Sequence, residues 1–351
     1  MPTALGLMSG TSLDGIDAAI LVTDGERIEA FGPALTLPYE PAFRDRLRAC
    51  LGTRGDGAVE RELTIRHALA VKRLAADWGR PVDIVGFHGQ TVLHRPKDGI
   101  TVQMGDGALL ARETGIPVVG DFRSADVAAG GEGAPLVPLY HAALARDLDK
   151  PLAVLNLGGV GNVTFLGRDG GLLAFDTGPG NALLDDWVRT HKGMPCDVDG
   201  KLALAGRADA FTLVDLFAHP FFRRKPPKSL DRDDLAAALD TVARLSPADG
   251  AATLTGFTAG AVGRAVEWLP EEPRRWLVCG GGRRNPALMA ALVQALEVPV
   301  DPVEAVGWQG DALEAQAFAF LAVRSTRGLA LSLPTTTGVA RPMPGGTLYR
   351  P

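Results

Sequence analysis

The fold is decided by the stretch Gly6-Leu7-Met8-Ser9-Gly10-Thr11-Ser12-Leu13-Asp14-Gly15-Ile16-Asp17. It carries an apolar strand over residues 3–8 through a glycine-rich turn into a second apolar strand over 16–22, which predicts a hairpin. The pattern returns at Leu155-Asn156-Leu157-Gly158-Gly159-Val160-Gly161-Asn162. Two such turns predict two related halves that hold one nucleotide between them.

Both turns have the composition of a phosphate-binding site. Glycine lets the backbone approach phosphate oxygens, and its positive-φ conformations aim successive N–H groups at an anion. The first turn adds hydroxyl donors at Ser9, Thr11 and Ser12. Its carboxylates, Asp14 and Asp17, suit the shell of a Mg²⁺ ion. A hairpin that merely needs glycine would explain one isolated turn, and the second turn favours the phosphate site.

The length, composition and net charge limit the classes of protein to which this chain can belong. A length of 351 residues with 46% apolar and 22% charged residues predicts a globular enzyme of two domains. A net charge of -5 argues against a general attraction to nucleic acid or to an anionic membrane. The three cysteines are widely spaced and predict neither a disulfide framework nor a zinc site. Because the sequence also shows no secretory signal and no membrane-spanning apolar run, we expect a cytoplasmic protein.

Two predicted strands lead into polar tetrapeptides at their carboxyl ends, where open α/β sheets place their ligands. The strand over 82–87 leads into His88-Gly89-Gln90-Thr91, and the strand over 116–120 leads into Asp121-Phe122-Arg123-Ser124. His88 has an alternative as a satisfied buried imidazole. The Gly-Gln-Thr that follows it favours a sugar-contacting loop.

A third strand, over 172–175, runs into Asp176-Thr177-Gly178-Pro179-Gly180-Asn181 ahead of a helix over 182–191. Asp176 could be a plain helix N-cap, which is a common use of aspartate at such a junction. The density of turn residues beside it favours a catalytic carboxylate, since a carboxylate in a cleft can serve as a general base near neutral pH.

Two later segments add candidates. A strand over 276–279 leads into Gly280-Gly281-Gly282, where bare backbone could lie flat against a ligand ring, and Asn285 opens the next helix. Asp311 is predicted to cap a helix that runs to about residue 324.

On this last helix Leu313, Ala317 and Phe320 form the predicted inward face, and Glu314 and Gln316 lie off it. We therefore expect Glu314 to point into a cleft or into solvent.

Together these motifs resemble those of the anhydro-N-acetylmuramic acid kinase family, a branch of the superfamily of actin, hexokinase and the heat-shock chaperone ATPases. The resemblance runs nearly end to end. Six motifs carry it in one order: Met8-Ser9-Gly10-Thr11-Ser12-Leu13-Asp14-Gly15-Ile16-Asp17, Gly86-Phe87-His88-Gly89-Gln90-Thr91, Gly120-Asp121-Phe122-Arg123, Gly130-Gly131-Glu132-Gly133-Ala134-Pro135-Leu136-Val137-Pro138, Asn156-Leu157-Gly158-Gly159 and Phe175-Asp176-Thr177-Gly178-Pro179-Gly180-Asn181. Four further motifs are present: Asp197-x-Asp199-Gly200, Lys228-Ser229-Leu230-Asp231, Cys279-Gly280-Gly281-Gly282 with Asn285, and Asp311-x-x-Glu314-Ala315-x-Ala317-Phe318.

The resemblance implies an α/β, actin-like (ribonuclease H-like) ATPase fold with two related domains around an interdomain ATP cleft. We expect an N-terminal domain over residues 1–137, a C-terminal domain over 138–335, and a tail over 336–351 that could return to the first domain.

The resemblance also implies which residues bind the ligands. Those expected to contact ATP are Gly10, Thr11, Ser12, Leu13, Asp14, Gly15, Ile16, Asp17, Asn156, Gly158, Gly159, Gly280, Gly281, Gly282 and Asn285. Those expected to contact the sugar are His88, Gln90, Thr91, Asp121, Arg123, Gly178 and Asn181. Asp14 and Asp17 would hold Mg²⁺ through water.

The reaction implied belongs to peptidoglycan recycling. The family opens the 1,6-anhydro bridge of anhydro-N-acetylmuramic acid with water and phosphorylates the freed 6-oxygen, using ATP and Mg²⁺, to give N-acetylmuramate 6-phosphate. Asp176 would activate the water, and Glu314 would be a second catalytic carboxylate in the cleft. The resemblance implies a homodimer as well. Two alternatives stay open: an ordinary sugar kinase that consumes no water, and an ATP-gated regulatory or binding protein.

Overall fold

The computed structural model describes residues 1–10 and 12–351. The strands within these residues are, in chain order, β1 Thr3–Ser9, β2 Gly15–Thr23, β3 Ile28–Pro38, β4 Ile84–Arg95, β5 Ile100–Met104, β6 Val118–Gly120, β7 Leu152–Leu157, β8 Val160–Leu166, β9 Leu172–Pro179, β10 Trp276–Cys279, β11 Val300–Pro302 and β12 Thr347–Tyr349.

The α-helices are α1 Pro41–Ala49, α2 Gly57–Trp78, α3 Gly107–Thr114, α4 Ser124–Ala128, α5 Pro138–Leu144, α6 Ala182–Lys192, α7 Lys201–Leu204, α8 Ala210–Phe217, α9 Ala238–Val242, α10 Pro247–Ala265, α11 Pro286–Leu296, α12 Leu313–Thr326 and α13 Pro334–Thr337. Short 3₁₀ turns cover Pro96–Asp98, Val198–Gly200, Pro220–Arg223, Val266–Trp268, Gly281–Arg284 and Val303–Val306.

The chain forms two units, each built on one sheet. The first unit contains Met1–Asp147 and Asp311–Pro351, and the second contains Leu148–Gly310. The first sheet has the order β12-β6-β4-β1-β2-β3, with β5 paired to β4, and the second has the order β11-β10-β7-β8-β9.

The two sheets share one plan. In each, three consecutive strands pair antiparallel, as β1-β2-β3 and as β7-β8-β9. In each, the first of the three also pairs parallel with the next strand of the core, β4 or β10. A further parallel strand, β6 or β11, follows at the other side. This duplicated arrangement confirms the predicted actin-like fold of two related α/β halves.

Helix α12 packs on the first sheet because two strands lack side chains where it passes. A Cβ on Gly6 would lie 1.7 Å from the carbonyl oxygen of Ala315, and one on Gly86 would lie 2.0 Å from that of Phe318. Residues 311–326 therefore belong to the first unit, whereas the predicted division placed them in the second domain and set the boundary at 137 instead of 147. The pairing of β12 with β6 places residues 347–349 in the first unit too.

The start of α12 differs from the prediction. Ala312, and not the predicted Asp311, occupies the N-cap position. The predicted inward residues Leu313, Ala317 and Phe320 are all buried. Gln316 is buried as well, and its Oε1 accepts a hydrogen bond from the Tyr140 hydroxyl at 2.9 Å, which offsets the cost of burying this polar group.

Two strands run further than the sequence indicated. β4 continues through His88-Gly89-Gln90-Thr91 because residues from Gln90 onward pair with β5, so this segment is strand and not loop. β9 continues through Asp176 to Pro179 because β8 pairs with it over that length. No helix in residues 1–10 and 12–351 has the length and apolarity needed to cross a membrane.

Candidate active site

The first glycine-rich turn begins at a buried hydrogen-bonded cluster. Ser9, the last residue of β1, donates from Oγ to Gln90 Oε1 at 2.7 Å. Since the Ser9 proton is used there, the Tyr39 hydroxyl is the donor in its 2.8 Å bond to Ser9 Oγ. Burial raises the pKa of Tyr39 well above its ordinary value, so this donor keeps its proton. Gln90 is fully buried, and its side chain holds the turn from within the protein.

The turn that follows is tight, and its two flanking glycines have different surroundings. The Leu13 N–H donates to the Gly10 carbonyl at 3.1 Å, and Leu13 has a left-handed φ of 55°. A Cβ on Gly15 would lie 2.4 Å from the Leu37 carbonyl on β3, so packing alone requires this glycine. A Cβ on Gly10 would meet only Ser12 Oγ, at 3.7 Å, among the described residues. Thr11, assigned to the ATP site by sequence, lies outside the described residues.

Packing therefore leaves Gly10 unexplained, whereas a ligand that approaches the backbone would explain it.

The side chains of the turn divide into core and exposed groups. Leu13 and Ile16 are buried in the core, so only their backbone could meet a ligand. Asp14 is exposed and accepts from Ser12 Oγ at 2.8 Å. Asp17, on β2, is half-buried and accepts from Thr36 Oγ1 at 2.5 Å. Proteins hold Mg²⁺ with one or two carboxylates together with substrate phosphates, and this turn supplies carboxylates of that kind.

The first unit also brings His88 and Arg123 together. Arg123 donates to His88 Nε2 from Nε at 3.3 Å and from Nη2 at 3.1 Å, and to the Gly133 carbonyl from Nη1 at 2.7 Å. Because His88 Nε2 accepts, its Nδ1 carries the proton and donates to the Gly89 carbonyl at 2.8 Å. Burial, helped by Arg123, holds the pKa of His88 well below its ordinary value. His88 is thus a neutral imidazole that orients the Arg123 guanidinium.

A cavity of about 280 Å³ in the first unit lies beside residues 87–89 in the middle of β4 and the carboxyl end of β6. Its polar lining includes His88, Asp121 and Ser124, two of which the sequence assigns to the sugar. Asp121 is exposed, has a left-handed φ of 51° and accepts from the Ser124 N–H at 3.3 Å. Thr91 is half-buried, and its hydroxyl accepts a hydrogen bond at 3.3 Å from the side chain of Gln103, which lines the cavity.

In the second unit, the turn at Gly158-Gly159 is joined to the end of β9 by backbone hydrogen bonds. The Asn181 N–H donates to the Gly158 carbonyl at 2.7 Å, and the Gly180 N–H donates to the Gly159 carbonyl at 3.0 Å. The Asn181 side chain donates to the Leu157 carbonyl at 2.9 Å. One predicted sugar residue, Asn181, therefore stands beside the predicted phosphate turn.

The Gly280 turn lies against the same place. Gly280 has φ 74° and ψ 176°, and a Cβ there would lie 2.4 Å from Asn156 Oδ1 and 2.6 Å from the Leu157 carbonyl. Arg283 fixes the turn by donating to the Gly280 carbonyl at 2.9 Å and pairing with Glu304 at 2.8 Å. Gly280 of the second unit therefore lies against Asn156 and Leu157, next to Gly158 in the chain.

Two of the residues assigned to ligand binding from the sequence have a structural role. Asn285 caps α11, since its Oδ1 accepts from the N–H groups of Ala287 and Leu288 at 3.0 and 3.2 Å. A Cβ on Gly178 would lie 2.8 Å from the Ala261 Cβ on α10, so close packing accounts for this glycine.

Asp176 sits inside β9, opposite Asn162 of β8, and is 6% exposed. Its Oδ2 accepts from the Leu230 N–H at 2.9 Å, and its own N–H donates to the Lys228 carbonyl at 3.0 Å. It is not the N-cap of α6, a position that Asn181 occupies. A buried, oriented carboxylate of this kind can accept a proton in a reaction. Glu314 lies in the first turn of α12, in the first unit, and is half-buried.

Comparison with known proteins identifies one family along the whole length of the chain. A family model described as "Anhydro-N-acetylmuramic acid kinase" matches residues 2–351. A Rhodospirillum rubrum protein named anhydro-N-acetylmuramic acid kinase is 60% identical over 99% of this chain and 94% of its own length. A protein of the same name from Paramagnetospirillum magneticum is 58% identical over 99% of both chains. Among solved structures, component A of the Acidaminococcus fermentans (R)-2-hydroxyglutaryl-CoA dehydratase is 12% identical, covers 93% of this chain and 100% of its own, and has a TM-score of 0.48.

Proposed function

The chain belongs to the anhydro-N-acetylmuramic acid kinase family, and we propose that it converts anhydro-N-acetylmuramic acid, ATP and water into N-acetylmuramate 6-phosphate and ADP. The observation that carries the proposal is the match of the family model over residues 2–351. The buried, hydrogen-bonded carboxylate of Asp176 and the open surroundings of Gly10 support it.

Asp176 is the base of the hydrolytic step. It takes a proton from water while the water oxygen bonds to the anomeric carbon and the bond from that carbon to the 6-oxygen breaks. In an inverting glycosidase a second carboxylic acid protonates the leaving oxygen. Here the leaving 6-oxygen attacks the γ-phosphorus of ATP, and the bond from that phosphorus to ADP breaks. The capture by phosphorus replaces the general acid, and Glu314 serves as the second carboxylate of the site.

ATP is bound by the glycine-rich turns. In the first unit residues 12–17, with Gly10, are the proposed phosphate-binding turn; in the second unit the turn at Gly158-Gly159 is proposed for the phosphates and the Gly280 turn, with Gly281 and Gly282, for the adenosine. Mg²⁺, when bound, neutralises the charge on the transferring phosphoryl group. Asp14 and Asp17 would hold it, and the hydroxyl donors at Ser12 and Thr36 keep both carboxylates oriented.

The sugar contacts the residues around the 280 Å³ cavity of the first unit. Asp121 lines this cavity, and Arg123, hydrogen-bonded to the lining residue His88, adds a cationic group next to it. Such a pair suits a substrate that has a carboxylate and several hydroxyls.

We further propose a cytoplasmic homodimer that acts in peptidoglycan recycling. Phe211 and Val214 of α8 are 81% and 70% exposed and share one helix face, which supports contact with a second copy.

The test is to incubate the protein with ATP, Mg²⁺ and anhydro-N-acetylmuramic acid and to weigh the product. The proposal requires a product heavier than the sugar by one water and one phosphoryl group. A product heavier by the phosphoryl group alone would make the protein an ordinary sugar kinase. Nucleotide binding with no product would place it among ATP-gated binding proteins.

A further inference from the structure

A buried carboxylate in the first unit has no part in the reaction as proposed. Asp126, on α4, is 3% exposed. Its Oδ1 accepts from the Gly133 N–H at 2.6 Å, and its Oδ2 accepts from the Thr337 hydroxyl at 2.6 Å and from the Ser332 hydroxyl. Burying a charge is costly unless hydrogen bonds compensate it, and bonds to a carboxylate are stronger than those between neutral groups. The Asp126 carboxylate therefore joins two distant segments, one around residue 133 and one over 332–337.

The segment 131–133 is fixed closely against Asp126. A Cβ on Gly131 would lie 2.2 Å from Asp126 Oδ1, so any side chain at this position would displace the carboxylate. The Gly131 N–H donates to the Asp126 backbone carbonyl at 2.9 Å. The Glu132 N–H donates to the Thr337 carbonyl at 2.7 Å, so the backbone of α13 holds the segment as well. Asp126 and α13 together fix the conformation of this segment.

Gly133 connects Asp126 to the cationic group beside the cavity. Its N–H donates to the Asp126 carboxylate, and its carbonyl accepts from Arg123 Nη1 at 2.7 Å. On the other edge of the guanidinium, Nε and Nη2 of Arg123 donate to His88 Nε2 at 3.3 and 3.1 Å. Because the guanidinium is a rigid planar fork, acceptors on two edges fix the direction in which it points. A shift of the Gly133 carbonyl would therefore turn the Arg123 fork.

Resting on the proposed function and on Arg123 as a contact of the sugar, we propose that Asp126 is a positioning residue for substrate binding. Asp126, with the hydroxyls of Ser332 and Thr337, holds the Gly133 carbonyl in the place from which it directs the Arg123 fork at the carboxylate of the sugar. Arginine recognises a carboxylate through paired N–H groups, so the strength of this contact depends on the orientation of the fork. The segment 332–337 is thus part of the apparatus that binds the sugar, although it lies more than 200 positions from Asp126 in the sequence.

The first test removes one hydroxyl with Thr337→Val, and uses Thr335→Val, at an exposed threonine of the same helix, as the matched control. T337V should raise the KM for anhydro-N-acetylmuramic acid about tenfold, because a hydrogen bond to a charged group is worth about that factor or more. Its kcat and its KM for ATP should change little, since the lost interaction binds the sugar. T335V and the hydroxyl-conserving Thr337→Ser should match the wild type. A lower melting temperature of T337V with an unchanged KM for the sugar would make Asp126 purely structural and overturn the proposal.

The second test asks whether the effect runs through Arg123. Calorimetry measures the affinity for the sugar in T337V, in Arg123→Ala and in the double variant. The affinity should fall in T337V, yet change less than about twofold when T337V is added to R123A, because residues that act through one contact are not additive. An equal fall in both backgrounds would overturn the proposal.

Turnover of the wild type separates this proposal from the proposed function. If the wild type forms no sugar phosphate, the proposed function fails and the positioning role fails with it. If the wild type forms the product and T337V has the same KM for the sugar, only the positioning role fails.

Discussion

Replacing Asp176 with asparagine tests the base most sharply, because the substitution keeps the size and shape of the side chain and removes its charge. Asparagine has the same shape, and its amide oxygen can still accept the Leu230 N–H that Asp176 Oδ2 accepts at 2.9 Å. The backbone bond to the Lys228 carbonyl is independent of the side chain. The amide cannot take a proton from water. We therefore expect a folded protein that has lost the base alone.

The expected magnitude follows from what a general base contributes. Proton transfer to a positioned side chain is worth about 10²- to 10⁴-fold in rate, or about 3 to 5 kcal/mol of activation free energy. D176N should lose kcat by that factor, measured as ADP release, while its ATP affinity, measured by calorimetry, changes little. Asp233→Asn is the matched control, because Asp233 is an exposed carboxylate of the same unit that pairs with Arg232 at the surface.

Two results would refute this reasoning. A fall in kcat of less than about tenfold would leave no room for Asp176 as the base. A fall in ATP affinity as large as the fall in rate would make Asp176 a ligand of the metal or the phosphates.

Three further predictions follow from the turns and the core. Gly10→Val should fold and lose most ATP binding, whereas Gly15→Val should unfold because its side chain would overlap the Leu37 carbonyl. Thermal melting and ATP titration distinguish the two outcomes. Normal ATP binding by folded G10V would contradict the assignment of this turn to the phosphates. Asp17→Asn should raise the Mg²⁺ concentration needed for half-maximal activity, and an unchanged Mg²⁺ dependence would remove its link to the metal. His67 is buried, which lowers its pKa to about 4 from 6.5, so the stability that its neutral form provides is present above about pH 6.5 and is lost as the pH falls toward 4. Urea midpoints should fall over that window, and midpoints independent of pH would contradict the assignment.

Local signals in the sequence predicted much of the fold. The helix over 107–114 shows two such local signals: it begins after Asp106, whose side chain accepts the Leu109 N–H, and it ends at Gly115. Asn285 caps α11, the helix that it was predicted to open, and Ser246 caps α10. His67 of α2 is fully buried, and its Nδ1 is hydrogen-bonded to the Leu63 carbonyl one turn earlier. Because each of these features depends on residues that are close in the sequence, a single sequence is enough to reveal it.

The errors arose where distant segments meet. The polar residues after position 87 were predicted to form a loop. In the structure they belong to β4, because this part of the strand pairs with β5. The helix at 313–326 read as part of the second domain, and the bare backbone at Gly6 and Gly86 brings it to the first sheet.

The candidate site shows the same limit. Leu230 lies in a quoted motif, but its hydrogen bond to Asp176 joins residues 54 positions apart. Periodicity and local spacing carry no information about such a contact. The hydrogen bond between Ser9 and Gln90 spans 81 positions and was equally inaccessible.

The central claim is that water attacks the anomeric carbon while the 6-oxygen takes the phosphoryl group. The most direct measurement is the reaction in ¹⁸O-labelled water, quenched promptly and analysed by mass spectrometry with fragmentation. The account predicts one labelled oxygen on the anomeric carbon and none bridging the 6-carbon to phosphorus. A sugar phosphate without label at the anomeric carbon would contradict it.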